Sequence, residues 1–281
     1  MPLSHNHTKL AAFFYVLCFY GVAAWYVSHE LTLSAIRPQF FLNKADVTGQ
    51  LFMWTGIQHR IIESYLFRMI FEILFYLLPG VLAFCFIKSY RIVSLLAVFT
   101  ILYSMLYCYL FSCMSFISIE PLITWFFIPL LFTGRSVAGF YLKMHMLRIL
   151  FILFVASAAL WKIRTGALFN AEQMSGVLVS QHAPVLATGE KGFFIDLITF
   201  LINHPFLSNL LYWIVAAGEL FFIAGLFSKK FDRLLIIILV TFLVFDYYLM
   251  EINYFSWLPF AACFYFSRYQ MPAAEIKPLA A

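Results

Sequence analysis

The sequence predicts an all-α fold, a polytopic transmembrane helical bundle of about eight spans that forms a single integral membrane domain over residues 1–281. Three observations carry this prediction: 64% of the 281 residues are apolar, 11% are charged, and the mean hydropathy is +0.92. Soluble domains contain roughly 45–50% apolar and about 25% charged residues. These figures exclude an ordinary soluble domain, a disordered chain and a fibrous chain. A transmembrane β-barrel is disfavoured because the apolar residues form continuous runs rather than alternating segments.

Eight apolar runs define the predicted spans. A helix needs about 20 apolar residues to cross a bilayer. The runs cover residues 10–28, 65–87, 92–117, 122–133, 144–161, 206–227, 234–250 and 254–266. The first run is longer than the core of a signal peptide, so it is interpreted as a span. Run 122–133 is short and is consistent with a tilted, re-entrant or buried helix, and run 254–266 is also short.

The distribution of basic residues predicts that both termini lie on the cytoplasmic side. Cytoplasmic loops carry an excess of Lys and Arg. With this orientation, eleven of the 18 Lys and Arg residues fall on inner segments and seven on outer ones, and the turn 228–233 is the clearest inner loop. Two longer polar segments, about 30–63 and 164–205, then lie outside. We therefore expect any chemistry at the outer half of an integral membrane protein, with the bacterial inner membrane as its location.

Composition also limits the partners and cofactors. The net charge of +5 comes without a basic run longer than Lys229-Lys230, so we expect a lipid bilayer and no nucleic acid as partner. The five cysteines form no C-x-x-C motif, and His59 and Glu63 provide only two ligands, so no metal is expected. The 20% of aromatic residues either face lipid or line a cavity for a flat ligand such as a quinone-like lipid.

Arg68 and Glu72 are ionisable residues within the second predicted span. Such residues cost about 2.5–3.5 kcal/mol each on insertion scales and usually face the bundle interior with a partner. Their spacing of four places them on one helix face. They either neutralise each other within the helix or bind a substrate or lipid head group.

Three further ionisable residues stand near or within later spans. Lys162 follows Trp161 at an outer span end and is either an interfacial anchor or a residue that contacts a ligand, with a catalytic base as the sharper form of the second hypothesis. Glu219 lies within an apolar run after Gly218, which permits close helix approach, and we expect a basic or hydroxyl partner on another helix. Asp246 is expected to accept a hydrogen bond from a tyrosine, or to contact a ligand.

The outer segment 166–196 predicts a short amphipathic helix. Asn170 stands near its start, and Pro184 disfavours helix before it. Met174 and Leu178 lie on its apolar side. We interpret it as a cover over the bundle or as a packing element, and His182 near its end is a candidate ligand-binding residue.

Several short motifs in residues 144–268 form a known pattern. They are Ala158-Ala159-Leu160-Trp161-Lys162-Ile163, His204-Pro205, Gly218-Glu219-Leu220, Gly225-Leu226 and Asn253-Tyr254-Phe255-Ser256. The pattern resembles the DoxX-like, MauE-like and HTTM membrane proteins, the last being the membrane part of vitamin K-dependent γ-carboxylases. This resemblance implies an outward-facing site in which Lys162 occupies the place of the base that deprotonates the vitamin hydroquinone.

Three functional hypotheses remain. The first is a membrane protein with an outward-facing pocket that binds or acts on a quinone or another lipid-soluble ligand through Lys162, with Glu219 across the bundle. The second is a non-catalytic scaffold or accessory subunit that assembles with a membrane protein partner in an envelope, secretion or redox-maturation complex. The third is a small transporter, although no internal repeat supports it.

Overall fold

The computed structural model describes residues 5–37, 47–115, 119–133, 136–189 and 191–266. All regular secondary structure within these ranges is helical. The α-helices are α1 His5–Ser28, α2 Val47–Trp54, α3 Ile57–Glu63, α4 Tyr65–Ile87, α5 Val93–Ser115, α6 Thr124–Phe127, α7 Val137–Arg164, α8 Gln173–Gln181, α9 Ala183–Thr188, α10 Phe193–Asn203, α11 Pro205–Phe221, α12 Ala224–Phe227, α13 Asp232–Met250 and α14 Pro259–Phe266. Short 3-10 turns flank α6 and precede α8, α13 and α14.

Six helical segments are long and apolar enough to cross a membrane, which confirms the prediction of an all-helical integral membrane protein. They are His7–Ser28, Tyr65–Ile87, Val93–Ser115, Val137–Arg164, Pro205–Phe227 and Lys229–Met250. The two short predicted spans correspond to the shorter apolar segments Glu120–Thr133 and Phe255–Phe266. A third short apolar helix, α10, falls in what the sequence predicted to be an outer polar segment.

The chain divides into two compact units. Among the described residues, the first contains those up to 144 together with 255–262, and the second contains those in 145–254 and 263–266. Helix α7 contributes residues to both units, and the prediction of one integral membrane domain over the whole chain stays a prediction.

Aromatic packing forms the core of the first unit. The rings of Phe75 on α4 and Tyr107 on α5 are stacked with centroids 3.8 Å apart. Phe19 on α1 packs on Trp125 at 4.8 Å. Pro79 interrupts the hydrogen bonding of α4, and the hydroxyl of Tyr20 donates to the carbonyl of Tyr76 in the same turn at 2.8 Å. Burial of these rings joins α1, α4 and α5 around a common core.

Residues 120–133 run back along α5. The carbonyl of Thr133 accepts a hydrogen bond from Ser94 Oγ at 3.3 Å, and Ser94 lies in the first turn of α5. Lys143 donates to the hydroxyl of Thr133. At the other end of the segment, Trp257 Nε1 donates to the carbonyl of Glu120 at 3.1 Å. The C-terminal end of this segment therefore lies beside the N-terminal end of α5.

The second unit contains the C-terminal part of α7 together with α8, α10, α11 and α13. A small apolar core forms where α8 meets α10, made of Met174, Leu178, Ile198 and Leu201. Helix α8 begins and ends close to its predicted limits, with Met174 and Leu178 buried as predicted. The helical structure continues past Pro184, which lies in the first turn of the next helix, α9, a position that proline favours.

Candidate functional site

An ion pair between α7 and α13 is buried at one end of the second unit. Arg148 and Asp232 are 1% and 0% exposed. Nε of Arg148 lies 3.1 Å from each carboxylate oxygen of Asp232, and Nη2 lies 2.5 Å from Oδ1. Nη2 also donates to the carbonyl of Gly225 at 2.7 Å. This bidentate contact joins α7, α12 and α13 and leaves little access for a ligand.

Gly225 is the position where the backbone approaches most closely beside this ion pair. A Cβ atom there would lie 2.7 Å from a methyl carbon of Leu235 and 2.9 Å from one of Ile152. A Cβ atom at Gly218 would lie 3.6 Å from Ile238, an ordinary van der Waals distance. The close helix approach predicted at Gly218 is therefore found about two turns later, at Gly225.

A second ion pair lies toward the C-terminal end of α7. Lys162 Nζ donates to both carboxylate oxygens of Glu219 on α11, at 2.7 and 2.8 Å. Glu219 is 5% exposed and Lys162 is 21% exposed. The prediction that Glu219 has a basic or hydroxyl partner on another helix is confirmed. Lys162 is therefore held against α11 by this carboxylate.

Two more polar side chains lie beside the Lys162–Glu219 pair. The Lys162 ammonium lies 5.2 Å from the centroid of the Tyr212 ring, a cation–π distance. Asp246 on α13 is close enough to interact electrostatically with both charges. Its carboxylate has no hydrogen bond to a tyrosine within the described ranges, in contrast to the expectation from the sequence. The cluster therefore consists of a directly bonded amine and carboxylate, with a second carboxyl group in electrostatic range.

The two charged positions on α7 match those on α13 in spacing. Arg148 and Lys162 are fourteen residues apart, as are Asp232 and Asp246. At 1.5 Å per residue this corresponds to about 21 Å along each helix. The two helices therefore run in the same direction, with one polar cluster at each end of the unit. This equal spacing was the signal by which the sequence could have pointed to Asp232.

Arg68 and Glu72 belong to the first unit, and they bind different partners. Arg68 is buried, and its Nη1 donates to the carbonyls of Ile61 and Ile62 at 2.5 and 2.8 Å. These carbonyls belong to the last turn of α3, where a cation is favourable. Glu72 accepts a hydrogen bond from the backbone amide of Ser34 at 2.9 Å. Intrahelical neutralisation is thus replaced by two separate contacts that connect α4 to α3 and to the turn after α1.

His182 is buried between two acceptors in the second unit. Its Nε2 lies 2.9 Å from the carbonyl of Leu249, and its Nδ1 lies 3.0 Å from Oε1 of Glu251. Because a carbonyl only accepts, Nε2 carries a hydrogen. Sequence reasoning did not identify Glu251 as the partner of His182, since 69 positions separate them and the contact depends on how α13 ends.

Within the described ranges, no group of three or more His, Cys, Asp or Glu side chains is arranged to hold a metal ion. A comparison with protein-family models found no match, and comparisons with curated proteins and with solved structures also found none.

Proposed function

We propose that this integral membrane protein binds a quinone-like, lipid-soluble ligand at the cluster of Lys162, Glu219 and Asp246. The observation that carries the proposal is that three helices contribute one amine and two carboxylates to one region of a membrane-embedded unit. Ionisable residues are costly within membrane spans, and a cluster of them is therefore a candidate functional site.

The hydrogen-bonding capacity of the cluster supports this ligand class. An ammonium has three N–H donors. Glu219 accepts two of them, which leaves one for a ligand, and the Asp246 carboxylate supplies an acceptor. A quinone carbonyl can accept from the ammonium, and the hydroxyl of the corresponding hydroquinone can donate to the carboxylate. The Tyr212 ring offers an aromatic face.

The resemblance to γ-carboxylase membrane domains assigns Lys162 the role of a base. Because its ammonium is bonded to Glu219, Lys162 would first pass a proton to that carboxylate, 2.7 Å away, before accepting one from a ligand. We therefore propose Lys162 as a ligand-binding cation in the present arrangement, and we assign no chemical step.

We further propose eight passes with both termini in the cytoplasm, in a bacterial inner membrane. Two sets of contacts support the short passes. The Ser94–Thr133 hydrogen bond is consistent with residues 120–133 crossing the membrane antiparallel to α5. Within the second unit, Tyr254 stacks on Phe242 in α13, and Phe264 lies over Arg148, the partner of Asp232 at the start of α13. With this topology the Lys162 cluster faces outward and the Arg148 pair faces inward.

Cysteine accessibility tests the topology. Lys191→Cys and Lys230→Cys are introduced separately into a variant whose five native cysteines are replaced. Both positions are exposed in the structure. We expect a membrane-impermeant maleimide to label position 191 in intact cells and position 230 only in inverted vesicles. Labelling of both positions from the same side would contradict the topology.

Binding of short-chain ubiquinone and ubiquinol analogues tests the ligand site. Quenching of tryptophan fluorescence in detergent measures the affinity of each protein for these analogues. The proteins compared are wild type, Lys162→Ala, Asp246→Asn and the charge-swapped Lys162→Glu/Glu219→Lys. Arg164→Gln, an exposed basic residue on the same helix end, is the matched control. Loss of a hydrogen bond to a charged group weakens binding roughly tenfold or more.

The charge-swapped protein separates the two leading hypotheses. It keeps an ion pair, so the fold is retained, but it moves the ammonium from α7 to α11. We expect it to bind the quinone analogue at least roughly tenfold more weakly while its thermal unfolding stays close to wild type. Equal affinity in the charge-swapped protein and wild type, or no binding by wild type, would refute the ligand site and favour the scaffold hypothesis, in which the pair only joins helices.

A further inference from the structure

A cleft lies in the same unit as the Lys162 cluster and shares no side chain with it. It has a volume of about 420 Å³ and is open on one side. Apolar residues of α9 and α10 form most of its walls, among them Leu186, Phe193, Phe194 and Ile198. His182 and Glu251 are its polar residues. Ligand sites usually combine this size, apolar walls and a small number of polar groups.

Glu251 offers a free acceptor to this cleft. It is 49% exposed, and only its Oε1 is bonded to His182. Its second carboxylate oxygen has no hydrogen-bond partner in the part of the chain that the structure describes. The mainly apolar walls of the cleft favour a neutral donor, such as a hydroxyl group, over a second cation at this oxygen.

The backbone at Glu251 gives independent support for a role of its side chain. Glu251 ends α13 in the left-handed region, with φ 54°. Glycine is the favoured residue at this position of a helix, and other residues are disfavoured there. Glu251 therefore keeps a disfavoured backbone conformation while its side chain contacts His182 and lines the cleft.

The walls of the cleft favour a ligand that arrives from lipid. Phe193 is 85% exposed although it is fully apolar, and Phe200 on the same helix is also exposed. An apolar surface of this kind lies in contact with acyl chains rather than water.

We propose that this cleft binds a neutral amphiphile whose hydroxyl group donates to the free carboxylate oxygen of Glu251 and whose apolar chain lies along Phe193, Phe194 and Ile198. The cleft is distinct from the proposed quinone-type site, and its occupancy does not depend on Lys162.

Photolabelling with a long-chain alcohol that carries a diazirine tests the proposal. The full-length protein in liposomes is labelled, digested and mapped by mass spectrometry. In wild type we expect label on residues 185–198. Glu251→Gly removes the acceptor and supplies the residue that the backbone favours, but it also removes the contact with His182, so thermal unfolding is measured beside the labelling. In the folded variant, labelling of residues 185–198 falls roughly tenfold or more.

Glu30→Gly is the matched control. Glu30 is the same residue type, is exposed and has φ 57°, but it belongs to the first unit. This control is expected to label as wild type does. Equal labelling of wild type and Glu251→Gly would overturn the proposal. Labelling of wild type that is stronger with the amine or the carboxylic acid of the same chain length than with the alcohol would also overturn it. Either result would contradict the preference for a neutral hydroxyl donor.

Binding of the ubiquinone analogue to Glu251→Gly distinguishes this site from the proposed function. Retained quinone binding with lost alcohol labelling supports two separate sites. Failure of quinone binding in wild type, with alcohol labelling that still depends on Glu251, would refute the Lys162 site and leave this proposal standing.

Discussion

The Asp232→Asn substitution isolates the energetic contribution of the buried ion pair between α7 and α13. Asp232 is fully buried and receives three contacts from Arg148, two at 3.1 Å and one at 2.5 Å. Asparagine has nearly the same shape as aspartate but carries no charge. It also presents an amide N–H₂ to a guanidinium that can only donate. The variant therefore leaves the Arg148 charge buried without its carboxylate.

The expected cost follows from the burial of both partners. Breaking a buried ion pair by removing one partner typically destabilises a protein by about 3–5 kcal/mol, because the other charge is left uncompensated. Asp232 also lies in the first turn of α13, where a carboxylate adds about 0.3–1 kcal/mol. The Gly225 carbonyl still accepts a hydrogen bond from Arg148 in the variant, which offsets part of this cost. We therefore expect a total loss of about 3–5 kcal/mol in the free energy of unfolding.

Equilibrium unfolding in mixed micelles, followed by tryptophan fluorescence, measures this loss. Arg233→Gln is the control, because Arg233 is exposed on the same helix turn, and it should change the free energy of unfolding by less than about 0.5 kcal/mol. The double variant Arg148→Met/Asp232→Leu removes both charges and should recover at least about 2 kcal/mol. A loss below about 1 kcal/mol for Asp232→Asn would refute the reasoning.

Two other predictions concern packing and charge partners. Gly225→Ala should lower the free energy of unfolding by about 1–2 kcal/mol because its Cβ atom would press on Leu235, while Gly218→Ala should be neutral or stabilising. Thermal unfolding of the two single variants measures the difference, and equal stability would contradict the close contact at Gly225. In a double-mutant cycle, Arg68→Met and Glu72→Gln should be additive within about 0.5 kcal/mol, because the two side chains have separate partners. A coupling energy above about 1 kcal/mol would instead indicate that Arg68 and Glu72 interact directly.

The Glu219 side chain shows how far sequence reasoning reached at the candidate site. A single acid within an apolar run requires a partner, since an isolated charge is costly there. That requirement correctly predicted a basic or hydroxyl group on another helix. Lys162 was a separate candidate, and nothing in the sequence joined two residues 57 positions apart. The pairing depends on which faces of α7 and α11 meet.

Arg68 and Glu72 illustrate the opposite case. Their spacing correctly places them on one face of α4, but sequence spacing does not reveal which other groups reach that face. The carbonyls at the end of α3 and the amide of Ser34 provide competing partners. These backbone groups lack intrahelical partners or lie in a turn, so they bind the nearest charge. Such competition is visible only in the assembled structure.

The sequence by itself determined that this is an all-helical membrane protein, because run length and hydropathy are local properties that decide whether a segment is stable in a bilayer. It also located short segments such as α8, whose apolar spacing and flanking residues are local too. The tertiary structure decided which charges meet: Lys162 with Glu219, Arg148 with Asp232, and His182 with Glu251. These contacts depend on helix packing and on how each helix ends, and residues far apart in the chain carry no local signal of either.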